Sequence, residues 1–152
     1  MSQDEKDFSF DALAKKLERR LGGQSEDSTA DGVVKELDNE DIISQTRGSH
    51  TAVICFYRNG CPFCEKVTPI LDELADDYKS RVSFSKVNIN LFSKVQNEFK
   101  IMGVPLIIIL KKGMIVGRIE GLRSHEEYDQ WIDSIHKGIR PMGMDQGPMT
   151  RI

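Results

Sequence analysis

The stretch Cys61-Pro62-Phe63-Cys64 carries two thiols three positions apart. At that spacing two side chains can meet within one helical turn, and their chemistry has three readings. A dithiol can exchange electrons by making and breaking a disulfide. It can supply half of a tetrahedral zinc site, which in its closed form usually draws four protein ligands. It can also be a pair of inert buried thiols. The other candidate ligands are Cys55, His50, His125 and His136, which fall in unrelated elements without ligand spacing, so no metal is expected.

Position favours exchange. "TAVICFY", residues 51–57, is a near-continuous apolar run that reads as a strand buried on both faces. Cys61 follows shortly after it, and Pro62 suits the first position of a helix, where a missing N–H is harmless. The first amides of a helix lack internal partners and carry partial positive charge. A thiolate placed there is stabilised, so the Cys61 thiol is expected below its free value of about 8.5. Cys61, at the helix mouth, is expected to be exposed and nucleophilic. Cys64, one turn on, is expected to be more buried and to resolve a mixed disulfide. Arg58, just upstream, either lowers the Cys61 thiol further, selects acidic targets or is a solvated loop charge. Phe63 is expected to offer substrates an exposed apolar contact.

The elements that must hold this dithiol belong to a chain of 152 residues, short enough for one domain. At 39% hydrophobic and 30% charged it can bury a core and stay soluble. A net charge of -3, without a long basic run, argues against nucleic acid as a partner. No apolar run approaches the ~20 residues of a membrane-spanning helix. The polar start lacks the apolar heart of a signal peptide, and three cysteines make a secreted disulfide framework improbable, so a cytoplasmic location is expected.

Residues 1–32 read as an extension. Phe10, Leu13, Leu17 and Leu21 share one face of a short amphipathic helix, and the polar, Gly-rich "GGQSEDSTADG" follows as a flexible linker. The apolar stripe either folds back on its own domain or docks on a protein partner. Residues 33–137 alternate in the order β-α-β-α-β-α-β-β-α, which implies a mixed central sheet flanked by helices. In that order Asp38 and Asn90 are expected to cap helices, Pro69 to kink the helix after the dithiol, and Ser124 with Glu127 to form a capping box. Residues 138–152, rich in Gly and Pro and without periodicity, are expected to be a mobile tail.

"MGVPLIII" adds a second clue. Pro105 opens a buried strand, where a cis Val104–Pro105 bond would let the chain turn in. Such a turn would bring Val104 beside the dithiol, with its N–H and C=O free to pair with an extended substrate.

Taken together, the buried strand leading into Cys61-Pro62-Phe63-Cys64, Pro69, "KVNIN", "MGVPLIII" and the hairpin ending at Gly121 make residues 33–137 resemble the thioredoxin family. The resemblance implies a thioredoxin fold, dithiol–disulfide exchange and no bound cofactor. It matches Cys61 to the attacking cysteine, Cys64 to the resolving one, Pro105 to the cis-proline and Gly121 to the glycine near the substrate groove. There are departures. Gly60 stands where the family commonly has tryptophan, and Pro62-Phe63 is closer to the inner dipeptide of glutaredoxins. Cys55 stands where thioredoxins keep a buried aspartate, while its lysine partner is matched by Lys86. A buried neutral thiol accepts a proton poorly, so resolution by Cys64 is expected to be slower or to run through water. Lys86, if buried without an acid, would lose its charge or reach out to solvent. Cys55 itself reads either as core packing or as a third redox thiol.

The leading expectation is a reductase of protein disulfides, itself re-reduced by a reductase. Two alternatives stand beside it: a glutathione-dependent, glutaredoxin-like activity, and a thioredoxin-fold binding or adaptor module.

Overall fold

The computed structural model describes residues 30–38, 42–46, 49–139 and 146–152. The expected N-terminal helix and most of its linker lie outside the described residues, as does the start of the helix assigned to an Asp38 cap. The elements run β1 (Val34–Glu36), α1 (Ile42–Gln45), β2 (Thr51–Tyr57), α2 (Pro62–Asp77), β3 (Ser83–Asn88), α3 (Ser93–Glu98), β4 (Gly103–Val104), β5 (Leu106–Lys111), β6 (Met114–Glu120), α4 (His125–His136) and β7 (Thr150–Arg151).

Five strands form one sheet in the order β1-β3-β2-β5-β6. β1 and β2 run parallel to β3, while β5 pairs antiparallel with β2 and β6. Alternation along β2 divides the core, because successive side chains leave a strand on opposite faces. Ala52, Ile54 and Phe56 pack with Ile42, Val95 and Phe99 from α1 and the α3 region. Val53 and Cys55 pack with Val67, Leu71 and Leu74 of α2 and with Trp131 and Ile132 of α4. β2 is therefore covered on both sides, which is why its sequence is apolar throughout rather than alternating. Each large side chain fully buried in this way contributes about 1.5–3 kcal/mol over leaving it in water.

Local signals account for several boundaries. Ser124 and Glu127 form both halves of the expected capping box at α4. Gly113, at φ +82°, turns the β5–β6 hairpin, a backbone conformation that L side chains rarely adopt. α2 continues through Pro69, and the Thr68 hydroxyl donates to the Cys64 carbonyl at 3.1 Å.

Two expectations are corrected. α3 starts at Ser93, and its N-cap residue, Phe92, makes no side-chain capping bond. Asn90 does not cap it, because the Asn90 side-chain oxygen instead accepts the Asn59 amide at 3.3 Å. The second correction concerns the tail. Residues 146–152 are held: β7 pairs antiparallel with β4, with Gly103 opposite Arg151 and Val104 opposite Thr150. The backbone groups of that segment find partners on the domain, which a composition rich in Gly and Pro does not reveal.

Candidate active site

α2 begins at the dithiol. Cys61 is its N-cap, in extended conformation at φ -106° and ψ 107°, and Pro62 follows inside the helix. The Cys61 sulfur accepts the Cys64 backbone amide at 3.1 Å, and the Cys61 carbonyl accepts the Glu65 amide at 3.1 Å. Cys61 and Cys64 are joined as a disulfide, with Cα atoms 5.2 Å apart. An unpaired helix-end amide thus points at the sulfur that would hold negative charge once the disulfide is reduced, and this lowers the cost of forming a thiolate there.

The approach to the helix depends on Gly60. Its φ of +76° lies in the left-handed region, and a Cβ there would meet nothing within 4 Å. The backbone, rather than crowding, is what disfavours a tryptophan at this position. Arg58 is half-buried between β2 and this turn. The loop is tied down by three asparagines. Asn59 donates its amide to Asn90, Asn88 donates its side-chain N–H to Asn59 at 3.4 Å, and Asn90 donates its amide to Asn88 at 2.9 Å. This network joins the loop before Cys61 to the end of β3. It was missed in the sequence because nothing local couples residues so far apart.

On the other side of the dithiol stands β4. The Val104–Pro105 peptide bond is cis, and the Cys61 sulfur lies 3.7 Å from the Val104 carbonyl oxygen. Gly121, at φ +91°, donates its amide to the Pro105 carbonyl at 2.8 Å. The buried Tyr128 hydroxyl donates to the Gly121 carbonyl at 2.8 Å and accepts the Arg123 amide at 2.9 Å, which fixes this loop. Cys61, Cys64, Val104, Pro105 and Gly121 therefore share one end of the sheet.

Three expectations about side chains change. Cys61 is not exposed: its fractional exposure is 0%, against 4% for Cys64. Both sulfurs belong to the apolar cluster that also holds Val104 and Leu106. Phe63 is only half-exposed and packs against the same cluster, so it is not a free apolar contact. The Val104 backbone is not open, since β7 pairs with it.

Cys55 and Lys86 stand opposite each other on β2 and β3. Cys55 is buried among the α2 and α4 side chains, on the sheet face covered by α2, the helix that also carries Cys64. Burial pushes its thiol up to about 12, so at neutral pH it is a neutral packing group. Lys86 is not left without an acid. Its ammonium is 3.9 Å from a Glu36 carboxylate oxygen and 5.5 Å from the centre of the Tyr57 ring. The Tyr57 hydroxyl donates to both Glu36 oxygens, at 2.9 and 2.8 Å. β1 supplies the acid that the neighbouring strand lacks, and register makes it so: Glu36 stands opposite Lys86, and Lys86 opposite Cys55.

Among the described residues no three His, Cys, Asp or Glu side chains gather as metal ligands, and no helix is long and apolar enough to cross a membrane.

The architecture and the site have counterparts. The sequence model of the family described as Thioredoxin matches residues 33–134. The thioredoxin of Acidithiobacillus ferridurans is 25% identical over 69% of this chain and 97% of its own length. That of Staphylococcus haemolyticus is 26% identical over 66% of this chain and 95% of its own. Among solved structures, a mutant thioredoxin from Halobacterium salinarum superposes with a TM-score of 0.65 at 16% identity, covering 72% of this chain and 96% of that one. The oxidised thioredoxin of Plasmodium falciparum gives 0.61 at 21% identity, covering 68% and 98%. A family match that spans both the sheet and the helix-capping dithiol leaves one conclusion: the chain belongs to the thioredoxin family, as a thiol–disulfide oxidoreductase.

Proposed function

We propose that the reduced protein works as a reductase of protein disulfides, with Cys61 as the attacking sulfur and Cys64 as the resolving one. The observation that carries this reading is the Cys64 amide aimed at the Cys61 sulfur, 3.1 Å away, at the start of α2. The Cys61 thiolate attacks one sulfur of the substrate disulfide. That S–S bond breaks, a mixed disulfide forms, and the other substrate sulfur leaves as a thiolate. Cys64 then loses its proton and attacks the Cys61 sulfur. The second substrate thiolate leaves, and the Cys61–Cys64 disulfide remains. Two electrons have passed from the dithiol to the substrate, and two protons complete the two product thiols.

Cys55 has no part in taking the Cys64 proton. Its thiol is already protonated at neutral pH, because burial pushes it up to about 12. Water or the leaving substrate thiolate is the acceptor in this scheme. Val104, Pro105 and Gly121 form the edge along which the substrate is held, and the position of the Val104 carbonyl beside the Cys61 sulfur supports that role. A reductase returns the electrons, and no cofactor is needed at the site. A thiol-reducing compartment, the cytoplasm, suits a dithiol that must be reduced before each turnover.

The test is the Cys64→Ser variant. Without the resolving sulfur, it should accumulate a mixed disulfide between Cys61 and a protein substrate such as reduced-and-reoxidised insulin chains, seen as a mass adduct. The reduced parent should show a Cys61 titration below an ordinary thiol. An unshifted titration, together with no adduct, sinks the reading.

A further inference from the structure

From the pairing of β7 with β4 we infer that the Gln146–Ile152 segment is a built-in occupant of the substrate edge, and that protein substrates are extended segments that must displace it. The inference rests on the proposed role of Val104 as a substrate-binding residue.

The segment lies along the whole edge. Gly147 donates its amide to the Glu120 carbonyl at 2.9 Å, and the Pro148 carbonyl accepts the Leu122 amide at 2.7 Å. Thr150 stands opposite Val104, Arg151 opposite Gly103, and Ile152 donates its amide to the Met102 carbonyl at 3.2 Å. Backbone groups of β4 and of the chain around Gly121 are thereby taken up by the protein itself.

The fit is close as well as hydrogen-bonded. A Cβ on Gly121 would overlap the Gly147 backbone, and one on Gly147 would overlap the Leu122 carbonyl. Across from Gly103, the missing side chain makes room for the Met149 thioether. Two glycines face each other where the segment crosses the loop after β6, so the two backbones approach more closely than any other residue pair would allow.

Cys61 lies beside this covered edge, its sulfur 3.7 Å from the Val104 carbonyl oxygen. A sulfur that must be attacked by, or attack, an incoming disulfide is fully buried here. The residue next to it, Val104, is paired with a strand that is no part of the five-stranded sheet. β7 is only two residues long. It makes few ladder bonds, so it can leave without disturbing the core, as low-stability segments at functional sites do. A substrate strand that pairs with Gly103–Val104 replaces β7 group for group, by strand addition to an exposed edge. The segment then acts as a competitor always present at one copy per site. It raises the apparent KM by the reciprocal of the fraction of time the edge is uncovered and leaves the rate at saturation unchanged.

Two substitutions in the full chain open the edge. Thr150→Pro removes an N–H and bars ladder pairing opposite Val104. Gly147→Val places side-chain atoms against the Leu122 carbonyl. Trp131 fluorescence reports that the domain, to which neither position contributes core, stays folded. For insulin reduction, each variant should show a KM about fivefold lower than the parent at unchanged kcat, the loss of roughly one ladder bond from the closed state. Iodoacetamide should alkylate reduced Cys61 faster by a similar factor. Unchanged or raised KM with unchanged alkylation overturns the inference. Faster alkylation in variants that, like the parent, reduce no insulin would keep the covering segment but overturn the functional reading on which its substrate role rests.

Discussion

Replacing Cys55 by alanine tests whether this sulfur is only packing or part of the proton path. In the folded chain its thiol is pushed from an ordinary 9.0 to about 12 by burial, with Lys86 lowering it and Glu36 raising it by smaller amounts. A thiol raised on folding binds its proton more tightly in the native state than in the unfolded one. The stability tied to it is fully present below pH 9.0 and is lost as pH rises from there towards about 12. Each pH unit inside that window removes about 1.4 kcal/mol. At pH 10 the parent should therefore have lost roughly 1 kcal/mol through this group, and at pH 11 roughly 3 kcal/mol. Tyr57, Tyr78 and Tyr128 are also raised, by burial first, and add to the alkaline loss; Tyr78 does so equally in parent and variant, while Cys55 is a lesser cause for Tyr57 and Tyr128. Urea unfolding of both oxidised proteins at pH 8, 10 and 11 isolates the Cys55 part as the change in their stability difference with pH. The variant starts less stable, because truncation leaves a small void, and the gap should narrow by the amounts above. Parallel pH profiles would refute the reasoning, since they would mean Cys55 ionises as readily in the fold as out of it. Insulin reduction by the variant should stay within twofold of the parent at pH 7. A large fall would return Cys55 to the proton path.

Two further outcomes follow from the geometry around the dithiol. Gly60→Ala should cost about 1 kcal/mol, read as a lower urea midpoint, because only the positive φ is penalised and no neighbour is struck. Tyr128→Phe leaves the Gly121 carbonyl and the Arg123 amide without their buried partner and should cost about 1–3 kcal/mol, with faster amide exchange at Gly121 as the local sign.

Much of the site could be read from neighbouring residues. Pro62 and the strand before it placed Cys61 at a helix N-terminus, which the N-cap geometry bears out. The apolar run of β2 announced burial on both faces, and both faces are covered. Ser124 and Glu127 promised a capping box four residues wide, and that box is present. The expectations that failed concern distant partners. Asn90 looked like a cap until Asn59, far back in the chain, claimed its side chain. Lys86 looked acid-less because its carboxylate, Glu36, sits on another strand and becomes a neighbour only through register.

Sequence alone settled the reactive pair, its helix-end setting and the α/β frame, since each depends on contacts within a few residues or on periodic burial. Tertiary structure alone decided how open the site is. Val104 lost its free edge to a segment more than forty residues away in the chain, and Cys61 is buried in the apolar cluster with Val104 and Leu106. Strand pairing of that kind is set by backbone groups every residue shares, so residue types carry almost no trace of it.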